Sequence, residues 1–251
     1  MIRRALLLLG PLCLSSPAGA ALSERDLAGA VARPPRSATL PANLPFINQY
    51  GVRTTLGAVA GARPLVLIFA DFTCRHVCAP GLTMTAAALA GTGLSPGRDY
   101  ALAVVGIDPR DSPADARHLA EALPPTMAPS AALLSGDRAT VQRATQRLGY
   151  GYAYDAASDQ FAHDAAVYVF GRDRRLVALL PELGLQPAAL TAALSGEQPA
   201  QQSLGERVAR LCYGFAAAHG RFGGPAVAAI KILSLSLLAV VGVLVWRRRT
   251  A

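Results

Sequence analysis

Short apolar runs that alternate with helical patterns between residues 65 and 170 constrain the fold of this 251-residue chain more than any other feature. Residues 65–69 are five consecutive apolar residues, which suits a strand buried on both faces. Comparable runs lie at residues 100–107, 131–134 and 165–170, and helical patterns follow the first three runs at residues 80–90, 113–123 and 137–148. This alternation predicts right-handed crossovers and a largely parallel central sheet.

Turn and capping residues extend the pattern on both sides. Ser112 suits an N-cap, Pro113 the first helical turn and Asp115 the third position of a capping box. Residues 149–160 are interpreted as a loop, whereas we expect hairpins over residues 46–56 and 165–180 and a last helix over residues 187–194. The predicted fold class is therefore α/β, as a thioredoxin-like three-layer domain over residues 42–196.

The two ends of the chain have the composition of targeting segments. Residues 1–20 have a charged start, an apolar stretch and a small-residue end, as a secretory signal peptide does. Residues 225–246 are almost entirely apolar and would span roughly 33 Å as a helix, enough to cross a bilayer. Trp246 suits the membrane interface, and the three arginines at 247–249 predict a cytoplasmic end.

These ends define the predicted domain organisation. Residues 21–41 are rich in Ala, Pro and Arg without clear periodicity, so we expect a surface linker or mobile arm. Residues 197–224 are interpreted as a juxtamembrane tether and residues 247–251 as a cytoplasmic tail. A signal peptide combined with a C-terminal transmembrane helix predicts a membrane-anchored domain on the periplasmic (extracytoplasmic) side.

The charge distribution argues against nucleic acid as a partner. The formal net charge is +8, but six of the 24 basic residues lie in or beside the two terminal apolar segments. Residues 21–225 contain 18 basic residues against 16 acidic ones, with no basic cluster interleaved with aromatic residues. The basicity therefore belongs mostly to membrane topology.

Cys74 and Cys78 lie where the first buried strand ends and the next helix begins. Thiols near a helix N-terminus favour the thiolate, and Arg75 and His76 between them act in the same direction. In an oxidising compartment such a pair forms a disulfide, a metal site for copper or zinc, or a redox site. A disulfide would close a very short loop and stabilise the fold little, which favours a functional role.

A metal site at two thiolates needs a further ligand, and the chain has four histidines. His163 directly precedes the strand at residues 165–170, and the loop before it could fold back over the cysteines. His76 lies inside the cysteine motif, where it could tune the thiols or bind transiently. His118 is expected on a solvated helix face. Cys212 and His219 lie in the tether, where Cys212 is a candidate ligand, a resolving thiol or an interfacial apolar residue.

Three blocks of sequence resemble the SCO/SenC family of membrane-anchored copper chaperones. They are Phe72-Thr-Cys-Arg-His-Val-Cys78, Gly106-Ile-Asp-Pro-Arg-Asp-Ser-Pro113 and Phe161-Ala-His-Asp-Ala-Ala-Val-Tyr168. Their order and separation also fit, over roughly residues 42–195. Arg75 and Ala79 replace two prolines that usually follow the cysteines, His76 replaces an aspartate, and the predicted anchor is C-terminal rather than N-terminal.

The resemblance implies Cys74, Cys78 and His163 as copper ligands, with Asp108 and His76 in supporting positions. Two thiolates and one imidazole suit Cu(I) and can also hold Cu(II). The implied function is that of a metallochaperone rather than an enzyme. It would deliver copper to, or reduce the thiols of, the CuA site of cytochrome c oxidase, with the CuA-carrying subunit and other periplasmic copper chaperones as partners.

Other functions remain open on the sequence alone. A periplasmic thiol–disulfide oxidoreductase would use Cys74 and Cys78 as a redox pair without metal, although C-x2-C is its usual spacing. A peroxiredoxin would need a threonine where Asp71 stands. A purely structural membrane-tethered domain is the simplest alternative.

Overall fold

A computed structural model of the chain describes residues 22–74 and 78–198. Its strands are β1 (Pro45–Asn48), β2 (Arg53–Thr55), β3 (Leu65–Ala70), β4 (Ala101–Gly106), β5 (Ala131–Ser135), β6 (Tyr152–Asp155), β7 (Gln160–His163), β8 (Ala166–Phe170) and β9 (Leu176–Pro181). Its helices are α1 (Glu24–Gly29), α2 (Leu56–Ala60), α3 (Cys78–Ala90), α4 (Pro113–Ala120), α5 (Arg138–Arg147) and α6 (Pro187–Leu194).

Seven of the described strands form one mixed sheet in the order β2-β1-β5-β4-β3-β8-β9. Strands β3, β4 and β5 are parallel, whereas β8, β9, β1 and β2 are added antiparallel on either side. The parallel strands are joined by helical crossovers, as the alternating sequence pattern predicts. The predicted antiparallel hairpins at both ends of the domain are confirmed.

Alternate residues of β3 point to opposite faces of the sheet and belong to two separate hydrophobic cores. Val66 and Ile68 pack in one core with residues of α3, α4 and α6, whereas Leu67 and Phe69 pack in the other with residues of α2 and α5. All six residues of β3 and of β4 are buried. The result is the predicted three-layer α/β arrangement, with helices on both faces of the sheet.

Caps and termini follow the sequence closely, with small differences. Ser112 and Asp115 form the expected capping box of α4, but the helix ends at Ala120 rather than near residue 123. Helix α3 begins at Cys78, two residues before Pro80, so that the proline lies in the first turn, where its missing N–H costs nothing. The second cysteine is therefore the first residue of the helix.

Two stretches differ from the prediction. Residues 149–160, interpreted as a loop, contain β6, which pairs antiparallel with β7 in a separate two-stranded sheet. Residues 22–41, expected as a linker or mobile arm, contain α1 and place buried side chains on the domain, namely Ala30, Ala32, Ala38 and Leu40. Neither stretch shows a strong periodicity, because each meets the domain through a few residues only.

Among residues 22–74 and 78–198, no helix is long and apolar enough to cross a membrane. The predicted signal peptide, most of the tether and the predicted span at 225–246 lie outside the described residues.

Candidate metal centre

Cys74 lies in the loop between β3 and α3, at the edge of the sheet where the parallel strands end. Asp71 shapes this loop, because its Oδ1 accepts hydrogen bonds from the Thr73 backbone N–H at 2.9 Å and the Thr73 hydroxyl at 3.0 Å. The Cys74 N–H donates to the Asp71 carbonyl at 3.2 Å. Cys74 is half-buried. Cys78 opens α3, so both cysteines border a helix N-terminus, which favours thiolates.

His76 and the Cys78 side chain lie outside the part of the chain that the structure describes, as do Cys212 and His219. The positions of these groups therefore remain predictions. His118 is described, and it lies on the exposed face of α4 with its Nδ1 3.3 Å from the Glu121 carboxylate. The predicted solvated role of His118 is confirmed.

His163 is the last residue of β7, opposite Tyr152, and it is half-buried. The Tyr150 hydroxyl lies 2.8 Å from His163 Nδ1 and 2.8 Å from the Asp164 carbonyl oxygen. A phenol has one proton to donate, and a carbonyl oxygen can only accept it. When Tyr150 donates to Asp164, His163 carries its proton on Nδ1 and donates to the phenol oxygen. In that tautomer Nε2 has the lone pair that a metal ion requires.

Tyr150 also connects His163 to the strand that leads to the cysteines. Its ring stacks on Phe69 with 4.5 Å between ring centroids, and both residues are buried. Phe69 is the penultimate residue of β3. The same aromatic side chain thus fixes the imidazole by a hydrogen bond and packs against the strand that leads to Cys74.

One cavity of about 270 Å³ lies between segments that neighbour the predicted ligands in sequence. Its lining comes from the loop before Cys74, from the loop after β4 and from the β6–β7 hairpin that ends in His163: Thr73, Asp108, Arg110, Asp111, Asp159 and Gln160. Segments far apart in sequence therefore meet at one edge of the sheet. Asp108 lines this cavity, whereas Cys74 and His163 are not among its lining residues.

Three buried carboxylates, those of Asp71, Asp108 and Asp111, have oxygen atoms within 4.8 Å of one another at this edge. Arg110 neutralises Asp108, with Nε 2.8 Å from Oδ2. Burial raises the pKa of Asp71 and raises the pKa of Asp111 to about 8. Asp111 Oδ1 is buried without a hydrogen-bond partner among the described residues. The cluster therefore favours a protonated Asp111 near neutral pH.

A fourth buried carboxylate, Glu182, lies against the first turn of α3. A side chain at Gly81, in the first turn of α3, would collide with Glu182 Oε2. Burial raises the pKa of Glu182 to about 7. A neutral Glu182 leaves the positive potential of the helix N-terminus to act on the thiols, whereas an ionised one would oppose it.

Sequence patterns did not reveal the residues that support the site. Tyr150 stands between two glycines in a stretch without regular alternation. Arg110 is part of an Asp-Pro-Arg-Asp turn, and turns of this composition are common at strand ends. Only the glycines on either side of Tyr150 signalled an unusual backbone there. Their effect depends on contacts with the backbone of residues 29–34, far away in sequence, which no local pattern shows.

Comparisons with known proteins agree with this architecture. The family model described as SCO1/SenC matches residues 34–197. A SCO1/SenC family lipoprotein from Bacillus anthracis is 15% identical, with a TM-score of 0.56 over 66% of this chain and 98% of that chain. Arabidopsis thaliana ScoI with copper bound is 17% identical, with a TM-score of 0.53 over 64% and 98%.

BsSco, described as a member of the Sco family of cytochrome c oxidase assembly proteins in which a disulfide switch was identified, is 15% identical. Its TM-score is 0.53 over 66% of this chain and 96% of that chain. A search of curated proteins gave no match. These structural similarities show the fold, and the family model covers well over half of the chain and includes Cys74, Cys78 and His163. The chain therefore belongs to the SCO1/SenC family.

Proposed function

We propose that this chain is a membrane-anchored copper-binding protein of the periplasmic side that takes part in assembling the CuA site of cytochrome c oxidase. The observation that carries the proposal is the position of His163. Its Nδ1 lies 2.8 Å from the Tyr150 hydroxyl, and it ends a hairpin that lines the same cavity as the loop before Cys74. A histidine with one ring nitrogen fixed in this way is typical of a metal ligand.

The donor set suits copper as cargo. Cys74 and Cys78 would supply thiolates and His163 an imidazole, and soft thiolates together with imidazole select copper over hard cations. The first turn of α3 stabilises the thiolates, and the Tyr150 hydrogen bond orients the ring. Asp108 contributes by organising the loop after β4 rather than by binding the metal, because Arg110 occupies its carboxylate.

The relatives support this assignment. Arabidopsis ScoI was solved with copper bound, and BsSco belongs to a family of cytochrome c oxidase assembly proteins. The apolar segment at residues 225–246 and the apolar N-terminus support a membrane anchor and export. The CuA-carrying oxidase subunit would receive copper, and another periplasmic copper chaperone would supply it.

Copper stoichiometry of the purified full-length protein tests the proposal. We expect about one copper ion per chain, bound by the three side chains together. The affinity for copper should fall at least tenfold in Cys74→Ser, Cys78→Ser and His163→Ala, because removal of one of three ligands costs more than the loss of a supporting contact.

His118→Ala is the matched control, since His118 is exposed on α4 and should leave copper binding unchanged. Full retention of copper in Cys74→Ser or in His163→Ala would contradict the proposed site.

A thiol–disulfide exchange function is the second candidate, favoured by the disulfide switch identified in BsSco. The Cys74 and Cys78 dithiol would give two electrons and two protons to a partner disulfide and become a disulfide itself. His163→Ala separates the two functions, because it should weaken copper binding at least tenfold and leave the redox potential of the cysteine pair unchanged within about 15 mV, which is roughly a threefold change in the equilibrium constant.

A further inference from the structure

The hairpin that carries His163 is not part of the main sheet. Strands β6 and β7 pair only with each other in the described structure. The main-sheet hydrogen bonds therefore do not determine where His163 lies relative to Cys74. At the base of the hairpin, Tyr150 provides a hydrogen bond to His163, and Tyr152 and Phe161 pack against the hydrophobic core. The turn between β6 and β7 has a further, polar contact to the domain.

Arg110 provides that contact. Its Nη2 lies 2.8 Å from Asp159 Oδ1 at the turn of the hairpin, and its guanidinium stacks over the Tyr154 ring, with Cζ 5.3 Å from the centroid. The Tyr154 hydroxyl donates to the same Asp159 oxygen at 2.7 Å. One side chain from outside the hairpin thus contacts both β6 and the turn that follows it.

Arg110 is itself held in place by Asp108. The Arg110 backbone N–H donates to Asp108 Oδ1 at 2.8 Å, and the Arg110 Nη2 lies 2.6 Å from Oδ2. The Asp108 side chain is 4% exposed, whereas those of Arg110 and Asp159 are 58% and 64% exposed. The buried Asp108 carboxylate holds the Arg110 guanidinium in one orientation through several hydrogen bonds. The contacts of Arg110 with Asp159 and Tyr154 therefore cost little additional side-chain entropy.

We propose that Arg110 is a positioning residue that holds the β6–β7 hairpin against the loop after β4 and so keeps His163 at the edge of the sheet where the Cys74 loop lies. The hairpin-holding role stands on the contacts alone, and the consequence for copper rests on the proposed function. Lysine could not replace this residue, because a single ammonium cannot bond Asp108, bond Asp159 and stack on Tyr154 with the planar geometry of a guanidinium.

Hydrogen exchange on the copper-free full-length protein tests the hairpin-holding role. In Arg110→Gln we expect the amides of residues 152–163 to exchange roughly five- to tenfold faster, as the loss of a charged hydrogen-bond network predicts. Arg98→Gln is the matched control, since Arg98 pairs with Asp99 on the surface outside the site. Arg110→Lys should resemble Arg110→Gln, and Asp159→Asn should add little to Arg110→Gln because both changes break the same contact.

Copper release to a chelator then tests the positioning role. The dissociation rate should rise roughly five- to tenfold in Arg110→Gln and stay at the wild-type value in Arg98→Gln. Hairpin exchange at the wild-type rate in Arg110→Gln would overturn the proposal, and so would faster exchange with unchanged copper release. Absence of copper binding in the wild type would instead contradict the proposed function, and hydrogen exchange would still decide whether Arg110 holds the hairpin.

Discussion

Individual carboxylates at one edge of the sheet differ in their role because they differ in their partners. Asp108 is bonded to Arg110, and Asp71 accepts two hydrogen bonds from Thr73. Asp111 is 7% exposed, and among the described residues its carboxylate accepts only a long hydrogen bond from the Phe72 N–H, at 3.4 Å. Asp108 was predictable from its family motif, whereas the unsatisfied state of Asp111 depends on three segments meeting and was not.

Asp111→Asn should stabilise the domain, increasingly so as the pH rises. Burial raises the folded-state pKa of Asp111 from 3.8 to about 8, so its contribution to stability is fully present below about pH 4 and is lost as the pH rises through 8. Asparagine does not titrate. The cost of ionising a buried carboxyl is therefore absent, and we expect the free energy of unfolding at pH 8 to increase by about 1–3 kcal/mol.

Denaturant unfolding between pH 4 and 8 measures this effect, with Asp173→Asn on the exposed β8–β9 turn as the control. A decline in stability over this pH range that is equally steep in the wild type and in Asp111→Asn would show that Asp111 is not the group responsible.

At the scale of elements, the N-terminal segment supports the candidate site. Arg33 N–H donates to the Gly149 carbonyl at 2.7 Å and Gly151 N–H donates to the Val31 carbonyl at 3.1 Å, so residues 31–33 flank Tyr150 like a short strand. The Ala32 N–H also donates to Asp164. The segment therefore contacts residues on both sides of His163 in the chain. Its composition predicted a linker because this pairing involves residues that are distant in sequence.

Gly149→Ala should disrupt the pairing of residues 31–33 with Tyr150 and leave the rest of the fold in place. Gly149 has φ +60°, and a Cβ there would collide with the Arg33 carbonyl. Gly93 is the matched control, because it has φ +72° and a Cβ added there would meet no other atom within 4 Å. Gly93→Ala should lower the free energy of unfolding only by the ~1–2 kcal/mol that a left-handed backbone costs a residue with a side chain. Gly149→Ala should lower it more and should make residues 22–36 accessible to proteolysis.

Equal destabilisation in the two glycine variants, with residues 22–36 still protected from proteolysis, would show that the segment is not held through Gly149.

For the molecule as a whole, the sequence predicted the sheet and its crossovers well. Apolar runs such as residues 65–69 and caps such as Ser112 are local signals that tertiary structure reinforces. The hairpin of β6 and β7 was missed because most of its residues are half-buried, with Tyr152 and Phe161 packed at the border of one core and Tyr154 exposed, so its strands lack a clear alternation of buried and exposed residues. The export signal and the membrane anchor remain predictions.

The central claim is that Cys74, Cys78 and His163 bind one copper ion. Electron paramagnetic resonance and absorption spectra of the Cu(II)-loaded full-length protein test it most directly. We predict a single copper species with a sulfur-to-copper charge-transfer band and nitrogen hyperfine structure from one imidazole. The nitrogen signal should disappear in His163→Ala and the sulfur band should weaken or disappear in Cys74→Ser. Spectra that are the same in the wild type and in both variants would contradict the claim.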